Sequence, residues 1–280
     1  EELSIAAGLP NHSIPGLPVL ECAEFGRNVS CYKKNIDNKE LRIGKIFHMN
    51  HEESLPVKLD LNSLCSHTFI TGSTGAGKSN TVYQIIHEAL CKGIKFLVIE
   101  PAKGEYKNIF GGRSDVTVYG TNPYVSDILK INPFSFPKGI HILEHLDRLV
   151  EIFNVCWPMY AAMPAVLKKA IEKSYEDAGW NLTASRNTYS EDFYPTFDDV
   201  ARNIRSIIDE SEYDNENKGA YKGSLITRLT SLTNGLNGQI FVTDEIEAAA
   251  LFFIYLIIDL SRVVSSETKS LIMGILILKL

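Results

Sequence analysis

Hydrophobic positions change their spacing several times along this chain, and each change marks an element. Val82, Tyr83, Ile85, Ile86, Ala89 and Leu90 recur three and four apart across residues 79–90, which predicts one buried face of a helix. Lys92 and Gly93 supply its stop signal. Just before this helix, His67, Thr68, Phe69, Ile70 and Thr71 form a β-prone run that leads into glycine, predicting a strand. Just after it, Phe96, Leu97, Val98 and Ile99 are continuously apolar and end in Glu100 and Pro101, the pattern of a strand covered on both faces. Strand, loop, helix and strand make a βαβ unit. Further short strands are predicted at 45–49, 56–61, 116–119 and 254–258, the last ending in Asp259. Strands separated by helices predict the α/β class with a mainly parallel sheet.

Between those strands the pattern turns helical. Leu143, Leu146, Leu149, Val150 and Phe153 form one stripe; Phe197, Val200, Ala201, Ile204, Ile207 and Ile208 form another, with Thr196 placed to cap it. About a hundred residues without a good strand predict an inserted helical subdomain, with mobile loops at 181–195 and 209–217. The expected organisation is an extended segment at 1–44, the first part of the core at 45–135, the helical insertion at 136–237 and the continued core at 238–280. Three prolines and two glycines at 8–18 predict loop. The chain begins with Glu1 and stops inside an apolar run, so a piece of a longer protein is expected.

Composition narrows the class. Lys and Arg number 28 against 34 Asp and Glu, a net charge of -6, so any nucleic-acid contact must be local rather than a property of the whole chain. The apolar runs at 248–258 and 271–278 fall short of the roughly 20 residues that span a bilayer and are expected in a core. Five scattered cysteines, Cys22, Cys31, Cys65, Cys91 and Cys156, contain no C-x-x-C pair, which predicts reduced thiols and a cytoplasmic location rather than a disulfide framework or zinc site.

The chemistry concentrates in Gly72, Ser73, Thr74, Gly75, Ala76, Gly77, Lys78 and Ser79, which fit G-x-x-x-x-G-K-[ST] without a mismatch. Glycines allow positive φ, so successive amides turn inward as a nest for phosphate oxygens. The helix that starts there adds unsatisfied amides and the positive end of its dipole. Lys78 is expected to reach the β- and γ-phosphates and Ser79 to ligate Mg²⁺, with Asn80 completing the cofactor-binding set. ATP is preferred to GTP, because no N-K-x-D guanine-reading segment is found. Hydrolysis also needs a carboxylate at a strand end; Glu100, Glu105 and Asp259 are the candidates.

Other polar residues have plainer readings. His67 is expected to pack within a strand, and Trp157, Tyr160 and Met163 to fill a helical core. Lys222 and Arg228 are expected on a solvated helix face. Lys33, Lys34, Lys39, Arg42 and Lys45 form a basic cluster that Asp37 and Glu40 interrupt.

The run from His67 through the glycine loop to Ser79, Asn80 and Thr81, followed by Glu100-Pro101-Ala102-Lys103-Gly104-Glu105-Tyr106, resembles the bacterial and archaeal HerA-like ATPases of the HerA/FtsK superfamily. Asn132-Pro133-Phe134-Ser135-Phe136-Pro137 and Ile258-Asp259-Leu260-Ser261 are similar to that family too, so the resemblance covers about residues 40–280. It implies an ATPase that forms rings, usually hexamers, and moves double-stranded DNA with a nuclease or NAD-consuming effector, in DNA processing or phage defence; in such a ring Lys168, Lys169 or Lys222 could line a basic pore. It also implies that the Walker B pair, sensor and arginine finger follow Leu280. Asp259 is then not the Walker B residue, Glu100 and Glu105 become the nearer catalytic candidates, and these 280 residues alone hydrolyse ATP poorly. The competing expectation is a nucleotide-gated scaffold that activates a partner effector without moving DNA; kinase chemistry lacks any acceptor-binding motif.

Overall fold

The computed structural model describes residues 40–48, 51–64, 66–247 and 251–279. The predicted loop at 8–18, most of the predicted 1–44 segment, Lys33, Lys34, Lys39, Cys22, Cys31 and Cys65 lie outside the described residues. The chain divides into two compact units, one ending at Glu88 and one beginning at Ala89.

In the first unit, β1 (Glu40–His48) pairs antiparallel with β2 (His51–Asp60). Two short strands were expected here, and a longer hairpin forms because polar positions that interrupt the apolar pattern pair across it. Lys58 Nζ lies 2.5 Å from Glu40 Oε2, and Lys45 pairs with Glu52. Asp60 ends β2 and opens α1 (Leu61–Leu64), its carboxylate accepting from Asn62 N at 3.2 Å and Ser63 Oγ at 3.1 Å. Helix α2 spans Lys78–Cys91. It is tied to β1 at both backbone groups of one residue: Gln84 Nε2 donates to Arg42 O at 2.9 Å, and Arg42 N donates to Glu88 Oε2 at 3.0 Å.

The strand predicted at 67–71 is absent. Those residues are irregular, His67 has φ 70° and Phe69 is 89% exposed. β-Propensity holds a strand only where a neighbour supplies the hydrogen-bond ladder, and among the described residues no strand pairs with this run. His67 is therefore exposed rather than packed.

The second unit opens with β3 (Phe96–Glu100), α3 (Tyr106–Phe110), β4 (Val116–Gly120) and β5 (Asp127–Ile128). Next come α4 (Ile142–Cys156), α5 (Met163–Asp177), the small hairpin of β6 (Trp180–Asn181) and β7 (Arg186–Asn187), α6 (Phe197–Glu210), α7 (Asn215–Thr233) and α8 (Asn237–Ile240). The chain then returns to the sheet as β8 (Tyr255–Asp259) and leaves through α9 (Ser266–Leu278). The sheet order is β3-β8-β4-β5 and every pairing is parallel. β8 is buried along its whole length because it enters between β3 and β4, which explains its unbroken apolar run.

The helices bury their stripes in one core that continues onto β8 and α9. α4 buries Ile142, His145, Leu146, Leu149, Val150 and Phe153, whereas Leu143 of the predicted stripe is 39% exposed; the buried face is rotated toward Ile142. Thr196 and Asp199 form a capping box at the start of α6. Trp157 and Met163 are buried, but Tyr160 is exposed. The segments expected to be mobile loops carry structure. Residues 181–195 contain the β6-β7 hairpin, Asn187 Nδ2 donating to Ala178 O at 3.0 Å and Trp180 Nε1 to Phe193 O at 2.7 Å. Residues 209–217 hold the end of α6 and the start of α7, capped by Asp214, whose Oδ1 accepts from Asn217 N at 2.8 Å.

Candidate functional site

The glycine loop joins the irregular run after α1 to helix α2. Gly75 has φ 81° and Gly77 φ 87°, the left-handed backbone that residues with side chains rarely adopt. Gly77 O accepts both from Thr81 N at 2.9 Å and from Thr81 Oγ1 at 3.2 Å, which fixes the loop to the first turn of the helix. Lys78 folds back across the loop, its Nζ donating to Gly72 O at 2.8 Å and Ser73 O at 2.7 Å. Among the described residues the amides of Gly75, Gly77, Lys78, Ser79 and Asn80 donate to no protein acceptor. Ser73, Thr74 and Ala76 are exposed around them, and Ser79 is half-buried. Free amides, a helix N-terminus and an ammonium gathered on one short loop form a donor set suited to a polyphosphate, so the residues present fit the expected nucleotide.

The carboxylates belong to the second unit. Glu100 ends β3, buried, and both of its oxygens are engaged: Oε1 accepts from Glu105 N at 2.8 Å and Oε2 from Tyr106 N at 3.1 Å. It thereby satisfies amides at the start of α3 that the helix itself leaves unpaired. Glu105 is half-exposed, with Lys103 Nζ 3.4 Å from its Oε1. Burial raises the Tyr106 hydroxyl above its ordinary pKa, and the charges of Glu100 and Glu105 add to that.

Asp259 stands beside Glu100 in the β3-β8 register and is held more tightly. Lys107 Nζ lies 2.5 Å from its Oδ2 and Ser261 N donates to Oδ1 at 2.9 Å. Burial, the largest influence, pushes this carboxyl up, but hydrogen bonds from Lys107 and Ser261 outweigh it and the pKa falls below the usual range. Gly104, at φ 69°, passes so close that a Cβ there would sit 2.9 Å from Ser261 Oγ and 3.3 Å from both Asp259 oxygens. The structure thus brings Glu100, Glu105 and Asp259 to one end of the sheet, with Lys107 between α3 and β8. Lys107 was not singled out in the sequence; its only signal is a lysine two residues beyond Glu105 on a short helix facing a strand-end aspartate.

A second buried polar group joins distant segments. Lys279, 4% exposed, lies with its Nζ 2.8 Å from Glu245 Oε2 and also donates to Ser135 Oγ. Glu245 accepts in turn from Asn132 N at 2.8 Å and from Ser135 Oγ, so the Asn132-to-Pro137 motif anchors the end of α9. His145 lies beside it, Nε2 against Pro133 O at 3.1 Å and Nδ1 buried with no partner. The lysines considered for a basic surface are largely neutralised: Lys168 pairs with Asp147 at 2.7 Å, and Lys222 with Asp209. Arg228 donates to Ser224 Oγ at 2.9 Å. Among the described residues, no three His, Cys, Asp or Glu side chains cluster as a metal site and no helix is long and apolar enough to cross a membrane.

Comparison with known proteins gives three similarities. The family described as "Helicase HerA, central domain" matches residues 41–279. A protein of Methanocaldococcus jannaschii named "Probable helicase MJ1565" is 35% identical over 119 residues, 42% of this chain and 21% of that protein. The solved structure of VirB4 of Thermoanaerobacter pseudethanolicus superposes with a TM-score of 0.51 at 18% identity, covering 71% of this chain and 51% of that one; it is a likeness of fold. The chain therefore spans about a fifth of its curated relative and about half of its structural neighbour.

Proposed function

We propose a function from one premise, that this chain belongs to the family of the HerA helicase central domain: it is an ATP-binding motor subunit of a HerA-type ring ATPase acting on double-stranded DNA. One observation carries the reading. The loop at 72–79 places Gly75 and Gly77 at positive φ, leaves five amides without acceptors among the described residues and sets the Lys78 ammonium across the loop at the start of a 14-residue helix. In this reading the amides and Lys78 hold the phosphates and the Ser79 hydroxyl faces Mg²⁺, which supplies charge neutralisation at the phosphates when bound. The relative named a probable helicase supports DNA as the substrate. Hexameric assembly, a partner nuclease or other effector, a place in defence and a cytoplasmic location belong to the same proposal.

The carboxylates bear on turnover. Both oxygens of Glu100 bind backbone amides and Asp259 is clamped by Lys107, so Glu100 acts by positioning the 101–106 loop and neither group is poised to activate water. Glu105, half-exposed beside Lys103, stays a catalytic candidate in this reading, and weak hydrolysis by these 280 residues alone is part of the same proposal. The test is the ATPase rate of the full-length protein with and without long duplex DNA at low salt. Stimulation by DNA, lost with Lys78→Ala, is expected; absence of both stimulation and DNA binding would overturn the motor reading.

A further inference from the structure

Beyond the carboxyl ends of β4 and β8 lies a cavity of about 490 Å³, the end of a parallel sheet at which ligands gather. Thr121 and Asn122 reach it from the end of β4, Arg262 from the end of β8, and Thr268 from the first turn of α9. Its lining carries one charge and several neutral polar groups, Asn234 and Asn237 among them. Arg262 is the sole charged side chain lining it, and Arg262 makes no hydrogen bond or ion pair among the described residues. Thr121 and Thr268 are each only 6% exposed, and among the described residues their hydroxyls bond to nothing while staying open to the cavity they line. Open to the cavity and without a protein partner, each hydroxyl is free to bond a ligand or water there.

The other groups extend the same pattern. Asn122 Oδ1 accepts from Tyr124 N at 2.9 Å, which leaves its amide NH₂ as a donor. Ser265, which also lines the cavity, caps α9, its Oγ accepting from Thr268 N at 3.1 Å. Glu267, in that first turn, does not line the cavity. Donors thus approach from three separate chain segments, which suits the tetrahedral oxygens of phosphate better than a planar carboxylate. Leu236 and Val264, both exposed, line the rim and can cover the organic part of an ester.

We infer that this cavity is a phosphate-binding site, with Arg262 as its charged anchor and Thr121 and Thr268 as its buried donors. The inference uses only residues of the second unit and does not depend on nucleotide binding at 72–79. Its ligand is a phosphate group, whether free in solution or carried on a nucleic-acid backbone.

Titration calorimetry on the full chain carrying Lys78→Ala, which silences the glycine loop, tests it with two probes: inorganic phosphate and a short single-stranded oligonucleotide. Saturable binding of at least one probe is expected, weakened about tenfold or more by Arg262→Ala and by the near-isosteric Thr268→Val, with unchanged melting temperatures. Binding of both probes identifies the phosphate group alone as sufficient, and binding of the oligonucleotide alone identifies the nucleic-acid backbone as the source. The inference is overturned if neither probe binds saturably, or if binding survives both substitutions.

Discussion

Acidification should unfold this protein partly through one buried imidazole. His145 is 1% exposed, its Nε2 lies 3.1 Å from Pro133 O, and its Nδ1 has no partner among the described residues. Burial, reinforced by the nearby Lys279 ammonium, lowers its pKa from 6.5 to about 3. The unfolded chain therefore binds a proton that the folded chain refuses between those two values. Stability from this source is complete above the unfolded pKa and is lost as pH falls from there toward the folded one. Each pH unit in that window is worth about 1.4 kcal/mol, so the loss by about pH 5 is about 2 kcal/mol, a large share of an ordinary domain's stability of about 5–15 kcal/mol. Equilibrium urea unfolding between about pH 7.5 and about pH 5 measures it, comparing the parent with His145→Phe and with His145→Gln, which keeps a donor for Pro133 O. Each variant pays its own pH-independent cost, and the difference between parent and variant should shrink by about 2 kcal/mol across the range. A difference that stays constant with pH for both variants would refute the reasoning, because it would mean that His145 titrates alike in both states.

Two further perturbations follow from the second unit. Glu245→Ala leaves the Lys279 ammonium buried without its counter-charge, which should cost about 3–5 kcal/mol and lower the melting temperature by about 6–20 °C, whereas combining Glu245→Leu with Lys279→Met should recover most of that loss in calorimetry. Gly104→Ala forces a Cβ against Ser261 and Asp259 at positive φ and should cost about 1–3 kcal/mol; Gly139→Ala, at φ 98° with nothing within 4 Å, pays only the backbone strain and should cost less in the same melts.

Much of the core was legible because apolar spacing and burial coincide there. Phe96 to Ile99, Val116 to Tyr119 and the run into Asp259 became adjacent parallel strands, and Thr196 capped α6 through its side chain. What the sequence hid depends on partners far along the chain. The run at 67–71 has strand propensity but no ladder neighbour among the described residues, and the β1-β2 hairpin gains its length from cross-strand ion pairs such as Lys58 with Glu40. Within the candidate site, the glycine loop announced itself because its geometry is local and its residue types are dictated position by position. Lys107 and Asp259 lie 152 residues apart, and Lys279 and Ser135 144 apart, so no local pattern could reveal either contact. Glu100 was found as a strand-end carboxylate, but its engagement by the amides of Glu105 and Tyr106 needed the backbone path of the loop.

The central claim, that the turn at 72–79 grips a polyphosphate, is tested most directly by calorimetric titration of the full chain with Mg-ATP, alongside the Lys78→Ala variant. Saturable heat in the parent, with affinity reduced about tenfold or more in the variant at an unchanged melting temperature, is the predicted result. No heat in the well-folded parent, or equal affinity in both proteins, would contradict it.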